Sequence, residues 1–206
     1  MGLANPRIFF AGTGGQGTLT ATRLLGQAAL ASGVEVTAGE VHGMAQRGGV
    51  VESTLLLGGW LAPRLDFGEA DILLGFEALE TLRALPYLGP GGAIFSSLET
   101  LPPLGVCMGR EKYPEHEQIQ AEARRHSDCC FFLDCVKLGE EAGNRRAGNS
   151  ALLGALCNSG LLPFGLEALE QAISELLPAK IREANLKAAR LGADAWAGQA
   201  GEKARG

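Results

Sequence analysis

Positive charge is what this chain has too little of. Its 206 residues carry 18 lysines and arginines against 23 aspartates and glutamates, a formal net charge of −5. A protein built to grip nucleic acid or an anionic membrane needs a basic patch, because its affinity rests on neutralising phosphates. The longest basic clusters are pairs, Arg124-Arg125 and Arg145-Arg146, and these read as solvated faces. No apolar run reaches the roughly 18 residues that a membrane span requires. Residues 1–10 lack a basic head followed by a long apolar stretch, so an export signal is not expected and a cytoplasmic location is. Metal-binding spacing is missing too. The five cysteines, Cys107, Cys129, Cys130, Cys135 and Cys157, are odd in number and form no C-x-x-C pair. The Cys129-Cys130-x4-Cys135 cluster offers half a metal site at best. Along a strand, residues 129 and 130 would point to opposite faces. Buried, reduced thiols and no metal are the expectation. Aromatic residues make up only 6% of the chain.

Glycine is what the chain has in excess. There are 30, clustered at 12–17 and 43–49, which marks loop chemistry and not a low-complexity tract. With 46% apolar and 20% charged residues the composition is that of a globular protein, and the length suits one domain.

Periodicity supplies the order of elements. A strand is predicted over Arg7–Ala11, a helix from Gly15 to Ser32 with Ala21, Leu24, Leu25, Ala28 and Ala29 on one face, and a strand over Val34–Thr37. Together these make a βαβ unit with a right-handed crossover. Ala38–Gly49 reads as a loop, and Val50–Leu57 as a strand that opens a small meander reaching residue 66. Further strands are predicted at Ile72–Gly75, Gly91–Phe95 and Cys130–Leu133, with helices over Glu77–Leu85 and 115–126. Three helical stretches close the chain at Asn149–Asn158, Leu166–Leu177 and Ala179–Trp196. The fold class that follows is α/β. It is doubly wound, with a mostly parallel sheet, a glycine-rich first βα loop and a helical C-terminal cap. The whole of 1–206 is one domain, with its α/β core over about 6–147 and its helical part over about 148–198.

Two glycine runs carry the chemistry. Gly12-Thr13-Gly14-Gly15-Gln16-Gly17-Thr18 contains G-x-G-x-x-G between a strand and a helix. Such glycines admit a ligand close to the backbone, and the unpaired amides at the helix start favour an anion such as a diphosphate. Thr13 and Thr18 add hydroxyls, and Arg23 lies about two turns into the helix. The same glycines are also explained by close strand–helix packing alone. A nicotinamide or flavin dinucleotide would want an acid at the tip of the second strand. Here the first one past that strand is Glu40, inside the loop. A Walker A loop is excluded, since no Gly-Lys-Ser/Thr follows. The second run is Glu40-Val41-His42-Gly43-Met44-Ala45-Gln46-Arg47-Gly48-Gly49, in which Arg47 can clamp a carboxylate or phosphate and Gly48-Gly49 expose amides. A glycine loop held by its own hydrogen bonds accounts for it equally well. Glu77 stands where it can face the same crevice or begin a helix; His116 and His126 read as solvated.

Taken together, 12–23 (G-T-G-G-Q-G-T-L-T-A-T-R) and 43–53 (G-M-A-Q-R-G-G-V-V-E-S) resemble the small gamma-type subunit of the 2-oxoacid:ferredoxin oxidoreductases, most closely the indolepyruvate-type beta subunits. Gly148-Asn149 through Leu156 and Lys180-x4-Asn185 through Gly192 are similar to that family's closing helices, so the resemblance spans nearly the whole chain. It implies a subunit without catalytic residues of its own. Thiamine diphosphate and iron–sulfur clusters would sit on a large partner chain, ferredoxin would be engaged indirectly through that chain, and coenzyme A would be the co-substrate. The lack of a Gly-Asp-Gly thiamine-type motif here agrees with this. The residues the resemblance and the glycine chemistry mark for coenzyme A are Gly12, Thr13, Gly14, Gly15, Gln16, Gly17, Thr18, Arg23, Arg47, Gly48 and Gly49. In the pyruvate members the matching loop reads G-S-D-G-T-V-G-A-N-K; Gln16, Thr22 and Arg23 here replace its Asp, Asn and Lys. A subunit of this kind should expose a large apolar face when alone, and self-association of the isolated chain is compatible with that. The competing readings are a free-standing nucleotide- or coenzyme-A-binding domain that regulates or carries, and a self-contained NAD-dependent oxidoreductase.

Overall fold

The computed structural model describes residues 3–42 and 49–203. Strand β1 (Arg7–Thr13) passes through the first glycine turn into α1 (Thr18–Ala31), followed by β2 (Val36–His42), β3 (Val50–Leu57) and β4 (Ala70–Gly75). Next come α2 (Ala78–Ala84), β5 (Leu88–Ser97), α3 (Leu104–Cys107), α4 (His116–His126), β6 (Cys129–Leu133) and α5 (Cys135–Glu141). The cap consists of α6 (Gly148–Cys157), α7 (Leu166–Leu176) and α8 (Ala179–Lys203). Neither α3 nor α5 was expected from the sequence.

The strands form one six-stranded sheet in the order β2-β3-β1-β4-β5-β6. β1, β4, β5 and β6 run parallel, while β3 is antiparallel to both β1 and β2. The first βαβ unit therefore exists, with β3 inserted between its two strands. β3 pairs along all of β1, from Arg7 with Leu56 to Thr13 with Val50. The stretch 38–42 is not loop. Ala38 to His42 continue β2 in unbroken register with Leu55 to Val51. A full ladder of backbone hydrogen bonds outweighs the poor strand preference of Ala38 and Gly39. Glu40 thus lies within an edge strand.

Alternation along the strands feeds two cores. Ile8, Phe10, Leu55, Ile72, Leu74 and Phe95 face α1 and the cap, while Phe9, Leu56, Leu73 and Ile94 face the side that carries α2 and α4. Phe10 and Phe95 are fully buried, each worth about 1.5–3 kcal/mol relative to exposure. The cap is tied to the sheet by Trp196, whose ring lies 5.1 Å from that of Phe95 and 5.3 Å from that of Phe131. Within it α6 and α8 touch backbone to backbone. A Cβ on Gly154 would collide with the Ala189 carbonyl, and one on Gly192 with the Ala151 carbonyl. That reciprocal contact explains why glycine stands at both positions.

Because α1 and α2 leave the adjacent strands β1 and β4 toward opposite faces, a crevice opens at the carboxyl ends of these strands. No described helix is long and apolar enough to cross a membrane. Cys130, Cys135 and Cys157 are buried and Cys129 half-buried, but Cys107 is exposed, against the expectation of buried thiols. It sits on the single-turn α3, none of whose residues is buried.

Candidate functional site

At the mouth of that crevice the first glycine run is held open by Gln16. Its carboxamide oxygen accepts from the Thr13 amide at 2.8 Å and from the Thr13 hydroxyl at 3.0 Å. Its nitrogen donates to the Phe76 carbonyl at 3.1 Å and to Glu99 Oε2 at 3.0 Å. Both donors and both acceptor sites of the side chain are thus used inside the protein. The Gln16 backbone carbonyl accepts from Asn149 Nδ2 at 2.6 Å. One residue thereby joins the ends of β1 and β4, the loop after β5, and the first turn of α6.

With Gln16 turned inward, the backbone is what faces outward. Gly17, at φ 84°, is the N-cap of α1; the helix has no side-chain cap and no acidic residue in its first turn. The amides of Thr18, Leu19 and Thr20 consequently have no hydrogen-bond partner among the described residues, and the positive end of the helix dipole is uncompensated. Beside them lies an open cleft of about 1050 Å³, bounded by Gly14–Gly17 and Thr20 on one side and by Arg145, Arg146, Asn149 and Lys180 on the other. Glu99 also lines it, its Oε1 3.5 Å from Arg145 Nη2. Among the described residues, three cations against one carboxylate make this a positive cleft on a chain of net charge −5. The Cys135 thiol is on the wall, but burial pushes it up to about 12, so it stays protonated and unreactive at neutral pH.

The structure brings the two glycine runs together, since the Gly14 amide donates to the Gly49 carbonyl at 2.8 Å. Of the residues marked from sequence, Gly14, Gly15, Gln16 and Gly17 line the cleft. Gly12, Thr13 and Thr18 are buried behind it. Thr18 Oγ1 is enclosed without a partner among the described residues and is directed at Gly12. Arg23 is on the exposed flank of α1, outside the cleft-lining residues. Arg47 and Gly48 lie outside the described residues. Glu77 does not enter the crevice. It is buried, caps α2 by accepting from the Glu80 amide at 2.8 Å, and takes hydrogen bonds from Leu101 N and Tyr113 Oη at 3.0 and 2.6 Å.

Sequence reasoning missed Glu99, Arg145, Arg146 and Lys180 as cleft residues. The sequence presents the pair 145–146 as a solvated face, and both arginines are indeed exposed, but on the rim of the cleft. Only the docking of the cap onto the sheet places them there. Lys180 carried one usable signal, its place in the closing-helix pattern Lys180-x4-Asn185; both of these residues line the cleft. Among the described residues no group of three or more His, Cys, Asp or Glu side chains is arranged to share a metal ion.

Residues 7–195 match the family model described as pyruvate ferredoxin/flavodoxin oxidoreductase. The chain is 40% identical over 193 residues to indolepyruvate oxidoreductase subunit IorB of Pyrococcus horikoshii, covering 91% of this chain and 94% of that one. It is 36% identical over 185 residues to the IorB subunit of Archaeoglobus fulgidus, covering 90% and 92%. In fold it is similar to the gamma subunit of a keto/oxoacid ferredoxin oxidoreductase from Geobacter sulfurreducens, with a TM-score of 0.68 at 19% identity over 94% of this chain and 99% of that one. It also matches part of the 2-oxoglutarate:ferredoxin oxidoreductase from Magnetococcus marinus solved with 2-oxoglutarate, coenzyme A and succinyl-CoA. There the TM-score is 0.69 at 17% identity, over 94% of this chain and 31% of that one.

Proposed function

The chain belongs to the pyruvate ferredoxin/flavodoxin oxidoreductase family and is a subunit of a 2-oxoacid:ferredoxin oxidoreductase; on that premise we propose that its oxoacid is indolepyruvate and that its cleft holds the diphosphate end of coenzyme A. The observation that carries the first part is the 40% identity to an indolepyruvate oxidoreductase subunit over almost the full length of both chains. What supports the second is the set of unpartnered α1 amides beside Arg145, Arg146 and Lys180. Backbone donors at a helix start and flanking guanidinium and ammonium groups together suit a diphosphate, while Gln16, already saturated, serves to keep the loop open.

In this reading the large partner chain carries thiamine diphosphate and the iron–sulfur clusters, which supply decarboxylation and electron transfer to ferredoxin. This chain binds and orients the thiol co-substrate. Co-expression with the large chain under anaerobic conditions tests it. The expected result is ferredoxin reduction that requires indolepyruvate and coenzyme A together, with pyruvate a poorer substrate. Equal or better turnover of pyruvate overturns the substrate assignment. Unchanged coenzyme A affinity in Arg146→Ala and Lys180→Ala complexes overturns the site.

A further inference from the structure

The sheet is unevenly covered. On the side opposite the cap, α2 and α4 overlie β1, β4, β5 and β6. Across β2 and β3 there runs instead an extended stretch, residues 60–67, pinned by Thr37 Oγ1 donating to the Trp60 carbonyl at 2.5 Å and by Thr54 Oγ1 donating to that of Pro63. Between this stretch and the strands lies a groove of about 830 Å³ that shares no lining residue with the cleft described above.

Its walls are aromatic. Tyr87 stacks on Phe9 with ring centroids 4.0 Å apart, and Phe67 meets Tyr87 edge-on at 4.8 Å. Phe67 is nonetheless 71% exposed, and along the same stretch Leu61 is fully exposed and Trp60 is 38% exposed. Three large apolar side chains are thus left open within eight residues, Phe67 among them on the groove wall, and exposed apolar surface of this kind is what a partner contact covers.

Its charge is one-sided. Among the described residues, Glu40, Glu52 and Asp66 line the groove with Arg64 as the cation, and Arg64 already pairs with Asp66 at 3.5 Å on the exposed rim. Glu52 is half-buried at the groove floor and has no ion-pair or hydrogen-bond partner among the described residues. Burial alone raises its carboxyl above the ordinary range. Anything that closed the groove with apolar groups only would strip the remaining water from this carboxylate and leave it unpaired. An occupant that combines apolar surface with a positive charge both covers the exposed rings and compensates Glu52.

We propose that this groove seats an apolar segment of the large partner subunit that brings an arginine or lysine side chain to Glu52. The proposal rests on the subunit reading and adds to it the face that docks and the chemistry that docks there.

The test uses the co-expressed complex, with dissociation measured by mass photometry as salt is varied. Phe67→Ser and Glu52→Gln are compared with wild type and with Leu30→Ser, a substitution of another exposed apolar residue, at the end of α1 on the other face. Thermal melting of each isolated chain verifies folding. Each groove variant should weaken the complex at least tenfold while Leu30→Ser leaves it unchanged, and Glu52→Gln should flatten its salt dependence. If both groove variants bind within twofold of wild type, the docking face is overturned while the subunit reading stands. A wild-type chain that never binds the large subunit overturns both. If the variants abolish a dimer of this chain in sedimentation without weakening the complex, the groove serves a second copy and the proposal is wrong.

Discussion

Gln16 and Glu99 stand 83 residues apart in sequence and meet at 3.0 Å, the carboxamide nitrogen donating to the carboxylate. Through that contact the loop after β5 braces the glycine turn after β1. Gln16→Ala would leave the Thr13 amide, the Phe76 carbonyl and Glu99 short of a partner at once. We expect a loss of about 2–3 kcal/mol in unfolding free energy, measured by urea denaturation, together with a raised KM for coenzyme A in the assembled enzyme. Gln16→Glu should be worse. It retains the acceptors for Thr13 but sets a second carboxylate against Glu99 and the Phe76 carbonyl. Wild-type stability in both variants would show that the brace is not needed.

The α6–α8 contact makes a sharper stability prediction. Gly154→Ala or Gly192→Ala forces a methyl into a carbonyl of the facing helix, where no flexible side chain can yield. Each should cost about 2–3 kcal/mol and lower the melting temperature by several degrees. Gly198→Ala, on the same α8 with open space around it, should instead be neutral or stabilising by up to about 1 kcal/mol.

For the cleft, removal of one cation at a time separates two geometries. Arg146→Ala and Lys180→Ala are each expected to weaken coenzyme A binding about tenfold, as loss of one charge-assisted contact would. Arg23→Ala should leave binding within about twofold, because Arg23 lies outside the cleft wall. Isothermal titration into the assembled complex reads all three. A large effect at Arg23 with none at 146 or 180 would place the ligand on the other flank of α1.

The buried thiols predict alkaline lability. Burial raises Cys135 to about 12 and pushes Cys157 up as well. In the unfolded chain a thiol ionises near 8.5. Below that value both states hold the proton and the contribution of each thiol to stability is complete. Above it the unfolded state releases the proton first, so stability falls as pH rises toward 12, by up to about 1.4 kcal/mol per pH unit and thiol. Chemical denaturation at pH 7.5 and 10 measures this. At neutral pH iodoacetamide should label exposed Cys107 promptly and leave Cys135 and Cys157 unlabelled until the chain unfolds.

Local chemistry was enough to read much of this protein. The apolar run at Ile8–Phe10, buried on both faces of the sheet, the helical stripe from Ala21 to Ala29, and the glycine turn between them depend on neighbours close in sequence. These elements formed where their periodicity placed them. So did the three closing helices. The glycine turn at 12–17 was likewise legible as a break between strand and helix, and Gly14 to Gly17 do line a cleft. Tertiary structure decided the remainder. Whether 38–42 was loop or strand depended on pairing with β3, a hydrogen-bond ladder that composition does not encode. Whether Gln16 met a ligand or the protein depended on Phe76 and Glu99 arriving beside it. Whether Arg145 and Arg146 were mere solvated charge or one wall of a cleft depended on how α6 and α8 pack against each other and the sheet. Periodicity reports which face of an element is buried, whereas a site is made by which distant elements are buried against one another, and that is fixed only when the chain closes on itself.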